Sequence, residues 1–280
     1  MTFCKVCRFF FCRKIFLQVE KFEIKAGDKL KIFLIAGTED GRKLAKFLSE
    51  RNFEVTASVT TNYGRKILEQ YKNISINDKK LNSAELEKIL RENNFKILVD
   101  ASHPYAENIS QNAIDVCKNL KIFYVRYERP EVEISYKKIY RVESYEQAAE
   151  ISSSLGKNIF LTTGSRNLKK FLSCDAVKNC NVTARILPTS EVLAECENLG
   201  LSPKQIIAIQ GKFSTELNVE LFKHSQAEVI VTKNSGEVGG ADTKIQAAEI
   251  LNLPVVVIER PKIFYPRVAK NFDEVEKWIL

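Results

Sequence analysis

The sequence is constrained most by a repeated alternation of short apolar runs with amphipathic segments of helical period. The runs Lys31 to Ala36, Ile97 to Val99 and Val255 to Ile258 have the length of strands and little polar alternation. Such runs are typical of strands that are buried on both faces, with helices covering those faces. Because strand, turn and helix alternate along the chain after Lys31, we predict an α/β fold with mainly parallel, doubly wound sheets.

A three-residue echo divides this pattern into two halves. Glu128-Arg129-Pro130 and Glu259-Arg260-Pro261 each follow a predicted strand. We therefore predict two Rossmann-like domains, residues 30–140 and residues 141–280. Since ligands of open α/β sheets bind outside the carboxyl ends of the strands, we also predict a ligand cleft between the two domains.

Residues 1–29 do not share the pattern. They contain seven Lys or Arg against three Asp or Glu, a net charge of +4 within the +8 of the 280-residue chain. They lack the clean apolar core and small-residue cleavage site of a signal peptide. Two alternatives stay open: a loose, disordered extension, or a segment that precedes a natural start near Leu30.

Composition excludes several classes of function. The chain is 45% hydrophobic and 28% charged, as globular proteins are, and no apolar run approaches the ~18 residues of a membrane helix. With two histidines and no His-Glu-x-x-His, Walker or Gly-x-Ser-x-Gly pattern, we predict no metal site, no P-loop NTPase and no α/β-hydrolase. No basic run after Lys31 indicates nucleic acid, and seven scattered cysteines indicate unpaired thiols in a reducing cytoplasm.

The stretch from Ile97 to Asn112 contains the strongest candidate site. The strand ends at Asp100, and Pro104 suits a first helical turn, so a helix is predicted to begin at Pro104. Asp100, Ser102, His103 and Tyr105 would then lie where a strand's carboxyl end meets a helix N-terminus, a place that favours anions. The alternative is that Ser102 only caps the helix and that His103 only fills a turn.

Two further turns have the features of a dinucleotide site. The first strand leads into Gly37-Thr38-Glu39-Asp40-Gly41-Arg42, where glycine would let backbone N–H groups approach a phosphate. An ordinary tight turn between strand and helix would look the same. The second strand ends at Thr60 and Thr61, where NAD enzymes carry a carboxylate; these hydroxyls and the nearby Arg65 favour NADPH.

Several segments together resemble the precorrin-6A reductases of cobalamin biosynthesis. The resemblance runs from about Lys31 to Pro261. Its most specific blocks are Asp100-Ala101-Ser102-His103-Pro104-Tyr105-Ala106 and Val231-Thr232-Lys233-Asn234-Ser235-Gly236. Other matches are Arg126-Tyr127-Glu128-Arg129-Pro130, Thr163-Gly164, Arg185-Ile186-Leu187-Pro188, Gln210-Gly211-Lys212-Phe213-Ser214, Lys244, Ala247 and Ala248. The chain departs from the family's pattern at Ala36, Asp40, Lys212 and Asn234, where glycine, glutamate, proline and commonly aspartate stand.

The resemblance implies a reductase of the precorrin-6A macrocycle, with or without cobalt. A nicotinamide cofactor, NADPH or else NADH, would give a hydride to one ring carbon, and a proton would go to its neighbour. His103 or Tyr105 would donate that proton or pack beside the nicotinamide. Residues expected to bind the cofactor are Gly37, Thr38, Asp40, Gly41, Arg42, Thr60, Thr61, Ser102, Thr163 and Gly164. Residues expected to bind the tetrapyrrole are Arg166, Gly211, Lys233, Asn234, Ser235, Gly236 and Lys244.

Other interpretations stay open. The chain could instead be another two-domain α/β enzyme that acts on an anionic metabolite, such as a nucleotide-sugar transferase. It could also be a non-enzymatic module that senses a ligand or binds nucleic acid through residues 1–29. Under the reductase interpretation, other enzymes of the corrin pathway are candidate partners, and the Lys-, Ile- and Asn-rich composition favours the cobalt-containing macrocycle.

Overall fold

The computed structural model describes residues 29–51, 53–131, 133–236 and 240–280; the predictions for residues 1–28 lie outside this part of the chain. The described residues form two compact units. Unit 1 contains the residues up to Arg129 together with Ile263–Leu280, and unit 2 contains Pro130–Lys262. Each unit has a six-stranded sheet in which all neighbouring described strands are parallel.

Unit 1 alternates strands and helices, and its last strand and helix come from the end of the chain. Its elements are β1 (Lys31–Ile35), α1 (Glu39–Ser49), β2 (Glu54–Ser58), α2 (Asn62–Leu68), β3 (Ile74–Asn77), α3 (Ser83–Glu92), β4 (Ile97–Asp100), α4 (Glu107–Leu120), β5 (Phe123–Tyr127), β12 (Val268–Ala269) and α10 (Phe272–Ile279). The strand order β3-β2-β1-β4-β5-β12 is the 3-2-1-4-5-6 order of the Rossmann fold. The order therefore reverses between β1 and β4, where such sheets bind ligands.

Unit 2 repeats this order with one difference. Its elements are β6 (Ile139–Val142), α5 (Tyr145–Leu155), β7 (Asn158–Leu161), α6 (Leu168–Leu172), β8 (Asn181–Ile186), α7 (Ser190–Asn198), β9 (Ile206–Ala208), α8 (Thr215–His224), β10 (Val229–Lys233), α9 (Ala241–Ile250) and β11 (Val255–Ile258), with short 3₁₀ turns at Asp175–Val177 and Pro203–Gln205. The order is β9-β8-β7-β10-β11-β6, so the sixth place is taken by the strand that comes first in the unit. The predicted Rossmann-like halves are confirmed, and their reversal points lie between β1 and β4 and between β7 and β10.

The division of the chain differs from a single boundary at residue 140. Strand β12 pairs with β5, and Val275 and Ile279 of α10 are buried in the core that also contains the side chains of β1. Strand β6 begins at Ile139 and pairs with β11. The end of the chain therefore completes unit 1, and the segment from Pro130 belongs to unit 2. The cleft between the domains stays a prediction.

Side chains cap several helices at their N-termini. Asn82, Ser144, Thr189 and Ser214 each accept a hydrogen bond from a backbone N–H at the starts of α3, α5, α7 and α8. The predicted helix start at Pro104 is wrong. The Ala106 N–H donates to the His103 carbonyl (2.8 Å), which closes a turn there, and α4 begins only at Glu107.

Candidate functional site

In unit 1, the turns that follow β1 and β4 meet at the reversal point of the sheet. The Thr38 hydroxyl accepts a hydrogen bond from the Gly41 N–H (2.9 Å) and donates one to the Ala101 carbonyl (3.0 Å). A small pocket, partly open to solvent, lies here. It is lined by Thr38, Asp40, Ala101, Ser102, Pro104, Tyr127 and Arg129. The fold thus brings the predicted residues Thr38, Asp40 and Ser102 together, although the Thr38 hydroxyl already holds the two turns to each other.

The two glycines of the first turn have different roles. A Cβ at Gly41 would lie 2.8 Å from the Ala36 Cα and 3.2 Å from the Ala101 carbonyl oxygen, so glycine lets α1 pack closely on β1. A Cβ at Gly37 would meet no atom within 4 Å. Gly41 therefore serves the packing of helix on strand, and Gly37 leaves open space beside the turn before α1.

Asp40, predicted to bind cofactor, forms an ion pair with Arg129. The distance from Arg129 Nη1 to Asp40 Oδ2 is 2.6 Å, and both residues are buried. The pair neutralises a carboxylate in the first turn of α1, where an uncompensated negative charge would repel a phosphate. Arg129 was not among the predicted site residues, although it stands in the repeated Glu-Arg-Pro sequence and in a segment that carries the resemblance.

His103 and Tyr105 lie in the turn after β4, as predicted. Their rings are 5.7 Å apart, and the Tyr105 N–H donates to His103 Nδ1 (3.2 Å). Because an accepting Nδ1 carries no proton, the neutral His103 ring has its proton on Nε2. Both side chains are half-buried.

The turn after β4 rests on a buried carboxylate, Asp100. Its Oδ1 accepts from the Ser102 N–H and from Arg126 Nη1 (both 2.9 Å). Its Oδ2 accepts from the hydroxyls of Ser110 (2.6 Å) and Tyr124 (2.8 Å). The side chain of Ser102 does not cap α4, because its hydroxyl accepts from Arg126 Nη1 (2.9 Å).

Arg126 compensates the charge of Asp100. Arg126 is fully buried on β5 and also bonds Glu128 (Nε to Oε2, 2.7 Å). Burial raises the pKa of the Asp100 carboxyl, but Arg126 and the hydrogen bonds from Ser110 and Ser102 outweigh it and hold that pKa below its ordinary value. Asp100 was predicted to lie at this ligand-binding edge, but neither Asp100 nor Arg126 was among the predicted site residues, although both stand in segments that carry the resemblance. The available signal was one charged residue in each of two predicted buried strands.

The remaining predicted cofactor residues of unit 1 lie around the start of α2. Thr60 and Thr61 are exposed, and the Thr61 hydroxyl caps α2 by accepting from the Gly64 N–H (3.0 Å). Arg42 lies 5.8 Å from the centre of the Tyr63 ring. Arg65 is shared between Glu69 (2.7 Å) and Asp78 (2.5 Å), so it gives no separate support for a 2′-phosphate site.

In unit 2, the turns after β7 and β10 meet in the same manner. Lys233 Nζ donates to the Thr163 carbonyl (3.0 Å) and lies 5.7 Å from the centre of the Tyr145 ring. Burial, followed by repulsion from Arg166, lowers the pKa of Lys233 to about 8. Gly164, in the turn of Thr163, has a φ of 77°, which favours glycine. Thr163 and Gly164, predicted to bind cofactor, thus share this edge with the predicted substrate residues Lys233 and Arg166.

The turn after β10 is fixed by its backbone. The Ser235 N–H donates to the Lys233 carbonyl (2.9 Å), and Arg260 Nε donates to the Asn234 carbonyl (3.0 Å). Asn234, Ser235 and Gly236 are all buried, and Gly236 has a φ of 78°. Arg260 belongs to the second Glu-Arg-Pro sequence, so each copy of that sequence places its arginine on a turn beside a reversal point.

Lys244 and Arg185 add two buried cations to this edge. Burial, followed by repulsion from Arg185 and Lys233, lowers the pKa of Lys244 to about 7, although Asp242 opposes this. Burial lowers the pKa of Arg185 to about 10. Arg185 Nη1 donates to the Asn218 side-chain oxygen (2.7 Å). Arg185 was not among the predicted site residues; a cation within a predicted buried strand was the signal for it.

Gly211 follows the edge strand β9 and has a φ of 153°. The same loop carries Phe213, whose ring centre lies 4.4 Å from the Arg185 guanidinium carbon. Electrostatic repulsion thus links Arg166 with Lys233, and Lys244 with both Lys233 and Arg185, while Phe213 brings the loop of Gly211 to Arg185.

The described residues contain no group of three or more His, Cys, Asp or Glu that could hold a metal ion. Within the same residues, no helix combines the length and the apolar character that crossing a membrane requires.

Comparisons with known proteins agree on one family. The family model of the precorrin-6x reductase CbiJ/CobK matches residues 31–280. The chain is 39% identical over 245 residues to a cobalt-precorrin-6A reductase of Priestia megaterium, covering 87% of this chain and 96% of that protein. It is 40% identical over 251 residues to a cobalt-precorrin-6A reductase of Methanocaldococcus jannaschii, covering 89% and 98%.

A solved structure, CobK precorrin-6A reductase, has the same fold, with a TM-score of 0.71 at 22% identity over 90% of this chain and 96% of that one. The family model matches nearly the whole described chain, and this chain covers almost the full length of both relatives. These matches decide the assignment. The chain belongs to the precorrin-6x reductase CbiJ/CobK family.

Proposed function

We propose that this protein reduces a ring double bond of cobalt-precorrin-6A in cobalamin biosynthesis, with NADPH as the hydride donor. The family is one of reductases, and the relatives from P. megaterium and M. jannaschii are cobalt-precorrin-6A reductases, which supports the cobalt-containing substrate. When bound, NADPH supplies the hydride for one ring carbon, and a proton is added to the neighbouring atom. The double bond thereby becomes a single bond, and NADP⁺ is released.

The observation that carries the proposal is the different chemistry of the two reversal points. In unit 1, the turn before α1 has open space at Gly37, and the Asp40 carboxylate beside it is neutralised by Arg129. A helix N-terminus with space at a glycine suits the pyrophosphate of a dinucleotide, so these residues fit the cofactor. In unit 2, the edge is lined by lysine and arginine, which suit a substrate that carries several carboxylates.

The chain's residues would then have the following roles. Gly37 and the first turn of α1 hold the cofactor's phosphates, and Thr38 keeps that turn against the turn after β4. Lys233, Ser235 and Lys244 hold carboxylates of the macrocycle. The proton donor is His103 or Tyr105. The neutral form of His103 has its proton on Nε2, and His103→Gln and Tyr105→Phe would separate the two candidates by their effect on kcat.

The proposal also covers location and partners. The described cysteines, Cys117, Cys174, Cys180 and Cys196, are free thiols, which supports a reducing cytoplasm. We propose that the tetrapyrrole binds at this site and that the protein binds no nucleic acid.

The decisive experiment is anaerobic. NADPH absorbance would be followed on addition of cobalt-precorrin-6A, then of the metal-free macrocycle, and both assays would be repeated with NADH. We expect oxidation of NADPH that depends on cobalt-precorrin-6A. An enzyme that oxidises neither nucleotide with either macrocycle would overturn the proposal, and a preference for NADH or for the metal-free ring would overturn that part of it.

A further inference from the structure

Each unit contains a buried arginine, but only the arginine of unit 1 has carboxylate partners among the described residues. Arg126 of unit 1 is fully buried and forms ion pairs with Asp100 (2.9 Å) and Glu128 (2.7 Å). Arg185 of unit 2 is 6% exposed, but within the described residues its guanidinium has no carboxylate partner and one hydrogen bond, to the neutral Asn218. A buried charge is costly unless it is paired. The cation at Arg185 therefore lacks the compensation that the cation at Arg126 has.

The register of the sheet shows what surrounds Arg185. Phe160 of β7 pairs with Thr183 of β8 and with Ile230 of β10. Because side chains alternate along a strand, Arg185 and Thr232, each two residues further on, face the same side as Phe160. Thr232 is fully buried, and its hydroxyl has no hydrogen-bond partner in the described part of the chain.

Helices α8 and α9 cover this side of the sheet. Phe222 of α8 and Ala248 of α9 pack in the same core as Phe160, and one helical turn earlier these helices carry Asn218 and Lys244. Both helices have ten residues and begin at the carboxyl edge of the sheet. Their positive N-terminal ends therefore lie at the same edge as the side chains of Arg185 and Lys244.

The orientation of the guanidinium adds a second observation. Nη1 is held by Asn218, and the Phe213 ring lies over the guanidinium carbon at 4.4 Å. These contacts occupy one end and one face of the group. The Nε–H and Nη2–H donors form the opposite edge and make no hydrogen bond to the described residues. Two parallel donors on one edge match the two oxygens of a carboxylate.

We propose that Arg185 binds a carboxylate of the ligand in a bidentate hydrogen bond, with Lys244 nearby and with the Thr232 hydroxyl on the same face of the sheet, on the other side of β7. This inference rests on the proposed function in one respect, because it takes the macrocycle as the source of the carboxylate. A phosphate of the dinucleotide has similar chemistry and is the other source, which the experiment distinguishes. Asn218 is a positioning residue, since it holds the guanidinium without contacting the ligand.

The experiment measures binding with uroporphyrin III, a tetrapyrrole with free carboxylates, and separately with NADPH. We expect Arg185→Met to weaken uroporphyrin III binding about 10- to 100-fold, because a charge-assisted pair of hydrogen bonds is lost. Arg185→Lys keeps the charge but not the paired donors and should weaken binding less. The matched control is Arg141→Met, since Arg141 forms an exposed ion pair with Glu259 in the same unit.

A second readout separates a binding residue from a structural one. Removal of an uncompensated buried charge should leave the Tm of the ligand-free protein unchanged or raise it. A fall in Tm of many degrees with unchanged uroporphyrin III affinity would overturn the inference. So would a loss of NADPH affinity alone, because the anion would then be a phosphate. If the Met variant does not fold, Arg185→Lys decides: wild-type affinity in that variant rejects the bidentate contact.

The two proposals can fail separately. If Arg185→Met loses uroporphyrin III but the wild type reduces neither macrocycle, the carboxylate site stands and the reductase proposal falls. If the wild type reduces cobalt-precorrin-6A and Arg185→Met has an unchanged KM and uroporphyrin III affinity, the reductase proposal stands and the role of Arg185 falls.

Discussion

Arg126 and Asp100 depend on each other because both are fully buried. Replacement of Arg126 by Met would leave the Asp100 carboxylate buried without its cation. We expect the free energy of unfolding to fall by about 3–5 kcal/mol, measured by urea denaturation. Arg141→Met, which breaks an exposed pair, should change it by at most about 1 kcal/mol. The same Arg-to-Met change is thus expected to have opposite effects at Arg126 and Arg185, and a loss at Arg126 as small as that at Arg141 would contradict this account.

Lys244 should make stability depend on pH. Its pKa is lowered to about 7 in the folded protein from the ordinary value of 10.5, by burial and then by the nearby Arg185 and Lys233. Between these two values the unfolded chain holds one proton more, so the free energy of unfolding rises with pH by about 1.4 kcal/mol per unit. Below the folded pKa both states are protonated and the slope disappears.

The test compares wild type with Lys244→Met from pH 7 to pH 8. Lys233, with a pKa of about 8, adds a slope of the same sign that begins within this window, but it is present in both proteins, so the difference between their slopes reports on Lys244; the opposing charge near Lys244 is Asp242. We expect the wild type to gain stability across the window relative to the variant. Equal slopes in urea denaturation would show that Lys244 keeps an ordinary pKa.

At the scale of the element, α1 is placed by a contact with β1 that only glycine permits. A methyl group at Gly41 would approach the Ala36 Cα to 2.8 Å, so Gly41→Ala must push α1 away from the strand. We expect a loss of about 1–3 kcal/mol in the free energy of unfolding and weaker NADPH binding, because the helix N-terminus moves with the helix. Thermal unfolding and NADPH fluorescence would measure the two effects.

Gly37→Ala is the matched control for this change. A methyl group there meets no atom within 4 Å, so the stability should remain near that of the wild type. If the phosphates approach the turn at Gly37, NADPH affinity should still fall. If Gly37→Ala lost as much stability as Gly41→Ala, Gly37 would also serve the packing of α1, and the proposed difference between the two glycines would be wrong.

The elements also show what the sequence could predict. The caps Asn82, Ser144 and Ser214 were predictable because the hydroxyl or amide lies within three residues of the N–H that it binds. Strands β3, β6 and β12 were missed because all three are short edge strands, and the partners of β6 and β12 lie far along the chain. The site follows the same rule. His103 and Lys233 stand at the ends of recognisable strands, whereas the role of Arg185 depends on Asn218 and Phe213, which only the fold brings close.

At the scale of the whole molecule, the two units have one strand order but different continuity. Unit 2 is a single segment, residues 130–262, whereas unit 1 needs the last residues of the chain for its sixth strand. Helix α10 also closes the core of unit 1. Val275 and Ile279 are buried there, and the Phe272 ring centre lies 5.3 Å from that of Tyr127. Unit 1 can therefore become complete only when the final segment is present.

This continuity predicts how fragments behave. A chain of residues 130–262 should unfold cooperatively by itself, because all six strands of its sheet are present. A chain of residues 30–129 should not, since it exposes the β5 edge and loses side chains that each contribute about 1.5–3 kcal/mol on burial. Addition of a peptide of residues 263–280 should restore a cooperative thermal transition. Near-UV circular dichroism would measure it. Cooperative unfolding of residues 30–129 without the peptide would mean that unit 1 folds without β12 and α10.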